Sequence, residues 1–173
     1  FFLYYATPIP HAPLQAPVHW VDYYLQKFGD EPPYDGSKGY FPCRYPKATY
    51  AAMVSYLDEQ VGQIMSLLKE LGIVDQTLVI FSSDNGPTYN GGTDSPWFDS
   101  AYPFRSEYGK GKGFVQEGGI RVPMIAKWPG IITPGTCSDH LSAFYDVLPT
   151  LCEVAGAEIP EETDGISFLP TLK

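Results

Sequence analysis

The apolar pattern between Lys47 and Leu71 constrains the fold more than any other feature of this sequence. Apolar side chains recur there at steps of three and four, which predicts an amphipathic helix that packs one stripe against a core. Gly72 suits the C-terminal cap of such a helix. Continuous apolar runs at residues 1–6 and 78–81 flank the helix and predict strands that are buried on both faces. Strand, long helix, strand is typical of a mostly parallel sheet flanked by helices, so we predict an α/β fold.

Proline and glycine mark long loops between these elements. Four prolines around His11 exclude a helix in that segment. A third short strand is predicted at Val122–Ala126. A last helix is predicted at Asp146–Ala155, with Asp146 as its N-cap and Gly156 as its C-cap. The predicted loops are residues 8–17, 28–46 and 86–110.

Composition excludes several classes of protein. The 173 residues, 44 % of them apolar and 18 % charged, suit one globular domain with a sizeable core. A net charge of −9 argues against nucleic acid as a partner. No apolar run reaches the roughly 18 residues that a membrane span needs. Three cysteines, Cys43, Cys137 and Cys152, show no metal-ligand spacing and allow at most one disulfide.

The segment Asp84-Asn85-Gly86-Pro87 follows the apolar run at 78–81 and is the first candidate site. Ligands and metals bind where the strands of an open α/β sheet end, and adjacent carboxylate and amide oxygens suit calcium or magnesium. The same four residues are also a strong turn signature, because glycine allows positive φ and Asp and Asn bond to their own backbone. Taken alone, the segment favours the turn over the metal site.

Two further candidates are His11 and the segment Gly109-Lys110-Gly111-Lys112-Gly113. Glycines beside lysines let backbone and ammonium groups approach an anion, although a flexible basic turn would look the same. A lone loop histidine is usually a surface residue. Together, however, a cation site, a lysine and a histidine suit a tetrahedral anion held against a metal, with His11 giving a proton to a leaving group. From chemistry alone this favours hydrolysis of phosphate or sulfate esters.

The sequence resembles the formylglycine-dependent sulfatases, the arylsulfatase branch of the alkaline-phosphatase-like superfamily. The order and spacing of the matching motifs extend over essentially all 173 residues. Together the motifs are highly specific, although no single one is. They are residues 1–6 with Pro10-His11-Ala12-Pro13-Leu14-Gln15, Ala48–Met53 with Leu57-Asp58, Leu78–Pro87, Gly111–Gly113 with Glu117–Pro123, Trp128–Gly130, Asp146–Thr150, and Asp164-Gly165.

The resemblance implies a role for each matching residue. Asp84 and Asn85 match two calcium ligands, and Lys112 matches a lysine that contacts the sulfate group. His11 matches a histidine near the bridging ester oxygen, a candidate general acid for the departing alcohol. Lys110 has no family role that can be carried over. Glu117 and Arg121 are expected to brace the loop before the third strand rather than to touch the substrate.

The chain also departs from the family pattern. The formylglycine nucleophile arises from a Cys-x-Pro/Ala-x-Arg type motif, and none of the three cysteines fits it. Also absent are the early Asp pair of the calcium site and the arginine, second lysine and second histidine of the sulfate pocket. We therefore expect residues 1–173 to be the middle-to-late part of a large catalytic domain, incomplete and without its C-terminal subdomain. We expect the isolated chain not to turn over, because it lacks the nucleophile.

The resemblance implies a sulfuric ester hydrolase that releases inorganic sulfate from a sulfated sugar or an aryl ester. The alternatives are a phosphoester or phosphonate hydrolase of the same superfamily and a non-catalytic fragment that only binds. Recognition of the leaving group is expected in residues 21–45 and 86–108, where aromatic and polar groups mix. A periplasmic or extracellular location is expected, or a lysosomal one if the protein is of animal origin.

Overall fold

Helices dominate the structure, and two short strands form its sheet. The computed structural model describes all residues from Phe1 to Lys173. Single 3₁₀ turns lie at Val74–Gln76 and Phe144–Asp146. In chain order the elements are α1 (Val18–Phe28), α2 (Pro46–Glu70), β1 (Val79–Ser82), α3 (Ser95–Phe98), α4 (Glu117–Ile120), β2 (Met124–Lys127), α5 (Val147–Ala155) and α6 (Leu169–Leu172).

Helix α2 confirms the central sequence prediction, with bounds within one residue of Lys47–Leu71. Its buried side chains lie mostly in its first two turns, among them Ala48, Ala52 and Met53. Gly72 has a φ of +69°, the left-handed conformation that glycine adopts after a helix. The N-terminal part of α2 is therefore the point around which neighbouring loops pack.

Helix α1 was not predicted, although its sequence carries a helical signal. Trp20, Tyr24 and Phe28 recur at steps of four and form one aromatic stripe. α1 packs against α2, where the Tyr24 hydroxyl lies 2.7 Å from the Ser55 hydroxyl and the Trp20 indole donates to Glu59 over 2.9 Å. The aromatic packing extends from α1 to α3, where the Phe28 and Trp97 ring centroids lie 5.1 Å apart.

The chain divides into two compact units. One unit contains residues Phe1–Glu70 and Ser82–Pro123, and the other contains Leu71–Phe81 and Met124–Lys173. β1, whose first three residues belong to the second unit, pairs with β2, and both lie close to the predicted strands at 78–81 and Val122–Ala126. The first unit holds α1, α2 and every predicted site residue.

The predicted strand at residues 1–6 is wrong. The segment has no regular secondary structure, and Phe1, Phe2 and Tyr4 are 87 %, 75 % and 81 % exposed. Its only backbone hydrogen bond is local, from the Thr7 N–H to the Tyr5 carbonyl at 3.1 Å. A strand needs a neighbour that takes its backbone groups, and the 173 residues provide none for this segment.

The last predicted helix forms, but Asp146 acts differently from a helix cap. The side chain of Asp146 makes no capping hydrogen bond to α5, although its backbone carbonyl accepts one from the Thr150 hydroxyl at 2.7 Å. Its carboxylate accepts hydrogen bonds from the backbone N–H groups of Ala143, at 2.7 Å, and Ile166, at 2.8 Å. These donors, that of Ile166 above all, hold the pKa of the Asp146 carboxyl below its ordinary value of 3.8. Gly156 ends α5 in the left-handed conformation, as predicted.

The structure also bears on two expectations from composition. None of its helices combines the length and the apolar character that crossing a membrane requires. Cys43, Cys137 and Cys152 are all free thiols, so the one possible disulfide does not form.

Candidate functional site

The turn that carries Asp84 and Asn85 is fixed by the glycine that follows it. The Gly86 N–H donates to the Gly119 carbonyl over 2.9 Å. A Cβ atom added to Gly86 would overlap the carbonyl oxygen of Gly118, so only glycine fits this close approach. The Asp84 side chain is exposed and Asn85 is half-buried. A turn and a metal site are therefore compatible at these residues, because a rigid turn presents the side chains of Asp84 and Asn85 for ligand binding.

The segment with Lys112 packs directly against this turn. The Lys112 N–H donates to the Pro87 carbonyl over 3.0 Å. A Cβ on Gly111 would lie only 2.5 Å from the same carbonyl oxygen. Lys112 is half-buried, and its ammonium forms no salt bridge with any carboxylate of the chain. The structure thus brings the glycine-rich segment beside the Asp84 turn and leaves Lys112, like Lys110 of the same segment, without an internal counter-ion.

His11 is exposed, and one of its two ring nitrogens forms a hydrogen bond to the backbone. Its Nδ1 atom is 2.6 Å from the carbonyl oxygen of Ala12. A carbonyl can only accept, so Nδ1 carries the hydrogen and Nε2 is the atom that can give or take a proton. The backbone N–H of His11 donates to the Pro8 carbonyl over 2.7 Å, which closes a backbone turn at residues 8–11.

Contacts with Gly91 place the His11 segment near the other two. A Cβ on Gly91 would lie 2.9 Å from the Ala12 side chain and 3.2 Å from the Tyr40 ring. Gly91 is four residues beyond Pro87, which bonds to Lys112. The Lys112 segment is therefore bonded to the Asp84 turn, and the His11 segment contacts the same chain four residues beyond Pro87, all within one unit.

The N-terminus of α2 anchors the loops that support this arrangement. The buried Glu31 carboxylate accepts 2.9 Å hydrogen bonds from the backbone N–H groups of Lys47 and Ala48. The Lys47 ammonium lies 3.2 Å from the Asp94 carboxylate and 4.6 Å from the centroid of the Trp97 ring. Sequence reasoning missed Glu31, because it caps a helix that begins fifteen residues later and leaves no local signal.

Three aromatic side chains pack together on residues next to the Asp84 turn and on both sides of Lys112 in the chain. Tyr89 and Tyr108 meet edge to face with ring centroids 4.9 Å apart, and Phe114 lies 5.4 Å from Tyr108. Nearby, Arg121 pairs with Glu117 at 3.1 Å. Both side chains are about half exposed, and their role in bracing the loop stays a prediction.

The oxygen atoms of Asp84 and Asn85 are of the type that calcium prefers, but they are too few to complete its coordination. Calcium takes six to eight oxygen ligands, and a carboxylate with one amide oxygen offers three at most. No group of three or more His, Cys, Asp and Glu side chains in the chain could hold a metal ion. Any calcium held here would need further oxygen ligands from outside these residues.

Comparison with known proteins gives one consistent family. The family model described as "Sulfatase" matches residues 1–157. A protein named "Sulfatase" from Formosa agariphila is 38 % identical over 165 residues, covering 86 % of this chain and 27 % of the relative. Arylsulfatase A from Bos taurus is 33 % identical over 180 residues, covering 99 % of this chain and 28 % of the relative. The chain thus spans little more than a quarter of these relatives.

Solved structures agree with the sequence comparison. Ps i-CgsB, in complex with k-i-k-neocarrahexaose, has a TM-score of 0.73 and 30 % identity, covering 94 % of this chain and 31 % of that one. A phosphonate monoester hydrolase from Silicibacter pomeroyi has a TM-score of 0.56 and 29 % identity, covering 72 % and 22 %. These likenesses confirm the predicted α/β fold of the alkaline-phosphatase-like kind.

Proposed function

This chain belongs to the sulfatase family, and on that premise we propose that the protein hydrolyses sulfate esters and releases inorganic sulfate. The proposal is supported by the position of three candidate segments in one unit, where two of them are bonded to each other. Lys112 is bonded through its backbone to the turn of Asp84 and Asn85, and His11 lies on the segment that packs at Gly91. These segments supply the oxygen ligands of Asp84 and Asn85, the ammonium of Lys112 and the imidazole of His11.

Asp84 and Asn85 would supply part of the ligand set of a calcium ion. The charge of that ion would stabilise negative charge on the sulfate oxygens. The Lys112 ammonium would bind another sulfate oxygen, which its lack of an internal carboxylate partner permits. The nucleophile, a formylglycine in this family, would come from residues other than these 173. The isolated chain is therefore expected to show no turnover.

His11 would act on the leaving group. When the bond between sulfur and the bridging oxygen breaks, that oxygen gains negative charge and needs a proton. With Nδ1 bonded to the Ala12 carbonyl, the proton would come from Nε2 of the imidazolium. The sulfuryl group would pass from the bridging oxygen to the oxygen of the formylglycine hydrate, and the free alcohol would leave. The sulfated hydrate would then collapse, releasing inorganic sulfate and regenerating the aldehyde.

The substrate class that fits best is a sulfated carbohydrate or an aryl sulfate. Aromatic side chains lie around the candidate site in the loops that precede α2 and follow β1, including Tyr40, Tyr89 and Tyr108. Rings of this kind can pack against a sugar or an aryl group. The solved complex of Ps i-CgsB contains an oligosaccharide, k-i-k-neocarrahexaose, which favours a carbohydrate. Such a protein would be exported or, in an animal, lysosomal.

A second candidate is hydrolysis of phosphate or phosphonate esters. The likeness to a phosphonate monoester hydrolase supports it, because that protein shares the fold at 29 % identity. A protein that binds sulfated ligands without catalysis is a third candidate. Intact His11, Asp84, Asn85 and Lys112 favour catalysis over binding alone.

A comparison of leaving-group release from matched esters tests the proposal. The full-length protein would be assayed with 4-nitrophenyl sulfate, 4-nitrophenyl phosphate and 4-nitrophenyl phenylphosphonate, which share one chromophore. We expect kcat/KM to be highest for the sulfate and to fall when calcium is chelated. A higher kcat/KM for the phosphate or the phosphonate would overturn the proposal in favour of the second candidate. Binding of sulfate without turnover of any ester would favour the third.

A further inference from the structure

Tyr40 lies at the end of a short, tightly tied loop that leads to α2. The Tyr34 hydroxyl donates to the Gly39 carbonyl and accepts the Lys38 N–H over 3.0 Å. The Ser37 N–H donates to the Asp35 carboxylate over 2.9 Å. These bonds fix the backbone immediately before Tyr40, so the position of its ring is set by the fold.

The conformation of Tyr40 is one that tyrosine rarely adopts. Its φ is +67°, in the left-handed region that glycine enters without strain. Gly36 and Gly39 of the same loop use this region, at +88° and +85°. The side chain also fills no core, since Tyr40 is 48 % exposed. Residues held in sparsely populated backbone conformations cluster at ligand sites.

The Tyr40 ring stands beside His11. The two ring centroids are 5.8 Å apart, and the rings meet edge to face at 80°. On its other side the Tyr40 ring approaches Gly91 so closely that an added Cβ would lie 3.2 Å away. Because Gly91 has no side chain, the Tyr40 ring can pack against its backbone. Part of the ring remains exposed beside the His11 imidazole.

We propose that Tyr40 is a specificity-determining residue that contacts the alcohol portion of the ester, the sugar or aryl ring that leaves. This inference rests on the proposed function. If His11 protonates the bridging oxygen, the group bonded to that oxygen must lie beside His11, and Tyr40 is the exposed aromatic ring found there. A phenol ring offers a flat apolar surface for a ring-shaped leaving group and a hydroxyl for a polar substituent. On this assignment Tyr40 contacts the leaving group and not the sulfate group, which Lys112 would bind.

The test uses the full-length protein and two substitutions at one position. Tyr40→Phe keeps the ring and removes the hydroxyl. Tyr40→Asn removes the ring, and asparagine tolerates the left-handed backbone, so loss of the ring is separated from loss of the fold. Tyr145→Asn, at an exposed tyrosine of the other unit, is the matched control. The measurements are kcat, KM and the pH profile with 4-nitrophenyl sulfate, and the inhibition constant of inorganic sulfate, which has no leaving group.

We expect Tyr40→Asn to lower kcat/KM by about tenfold, mainly through KM, because an aromatic face buried against a ligand contributes roughly one decade of affinity. We expect Tyr40→Phe to stay close to wild type. The inhibition constant of sulfate and the pH profile should not change in either variant, and Tyr145→Asn should behave as wild type.

Three results would overturn the inference. Equal kcat/KM for Tyr40→Asn and wild type would show that the ring does not contact the leaving group. A fall in kcat with a shifted pH profile would show that Tyr40 acts only by orienting His11. Weaker inhibition by sulfate would place Tyr40 at the sulfate group instead. In each case wild-type turnover of the sulfate ester would leave the proposed function standing, whereas absence of wild-type turnover would overturn both.

Discussion

Replacement of Glu31 should loosen the N-terminus of α2. The carboxylate accepts two backbone hydrogen bonds of 2.9 Å, from Lys47 and Ala48, in a buried position. Glu31→Ala leaves both N–H groups without a partner. A buried unpaired group costs about 1–3 kcal/mol and a lost helix cap about 0.5–2 kcal/mol, so we expect a local loss of about 3 kcal/mol. By the rule of 1.4 kcal/mol per decade, the two amides should exchange with solvent about 100-fold faster.

Hydrogen–deuterium exchange of a peptide that covers the first turn of α2 measures this directly. Glu31→Gln should fall between wild type and Glu31→Ala, because its amide keeps one acceptor oxygen. Asp30→Ala is the matched control, since Asp30 is exposed and pairs only with Arg44 at the surface. Unchanged protection in Glu31→Ala, or an equal effect of Asp30→Ala, would refute the assignment of Glu31 as the anchor of α2.

Three further predictions concern the turn, the acid stability and the metal. Gly86→Ala should lower the free energy of unfolding by about 3 kcal/mol, because its Cβ would overlap a backbone carbonyl, whereas Gly109→Ala, with open space around it, should lose only about 1 kcal/mol; equal losses in thermal or denaturant unfolding would contradict the close approach. The folded-state pKa of Asp146 is depressed, so its contribution to stability is complete above pH 3.8 and is lost as the pH falls through the folded value. Melting temperatures from pH 7 to pH 2 should therefore fall less steeply for Asp146→Asn than for wild type, and parallel curves would exclude this contribution. Asp84→Asn should weaken calcium binding to the full-length protein by about tenfold or more in calorimetry, because one ligand loses its charge; unchanged affinity would remove Asp84 from the metal site.

Local patterns were sufficient for the main elements of the fold. The apolar periodicity predicted α2 within one residue, and short apolar runs predicted both strands within two residues. The aromatic stripe of α1 was overlooked because Trp, Tyr and Phe are weak helix formers, and their packing against α2 decides the structure. The segment at residues 1–6 shows the opposite error, since an apolar run alone does not supply a partner strand.

Motifs were sufficient to predict the candidate residues. They did not predict the hydrogen bonds and close backbone approaches that position these residues. His11, Asp84, Asn85 and Lys112 all lie in recognisable sequence patterns, and the structure bonds the Lys112 segment to the Asp84 turn. Their support depends on contacts between residues far apart in the chain, such as the Gly86 N–H on the Gly119 carbonyl. No single-sequence pattern reports such contacts, because they form only when the loops have folded.

The glycine-rich segment offers the most direct test of the central claim, because it contains a lysine with a proposed role and a lysine without one. In the full-length protein, kcat/KM for release of inorganic sulfate from 4-nitrophenyl sulfate would be compared for Lys112→Ala and Lys110→Ala. We expect Lys112→Ala to lower kcat/KM by about 100-fold, as for loss of one group that stabilises developing charge, and Lys110→Ala to remain near wild type. Equal effects of the two substitutions, or full activity of Lys112→Ala, would contradict the assignment of this surface as the sulfate site.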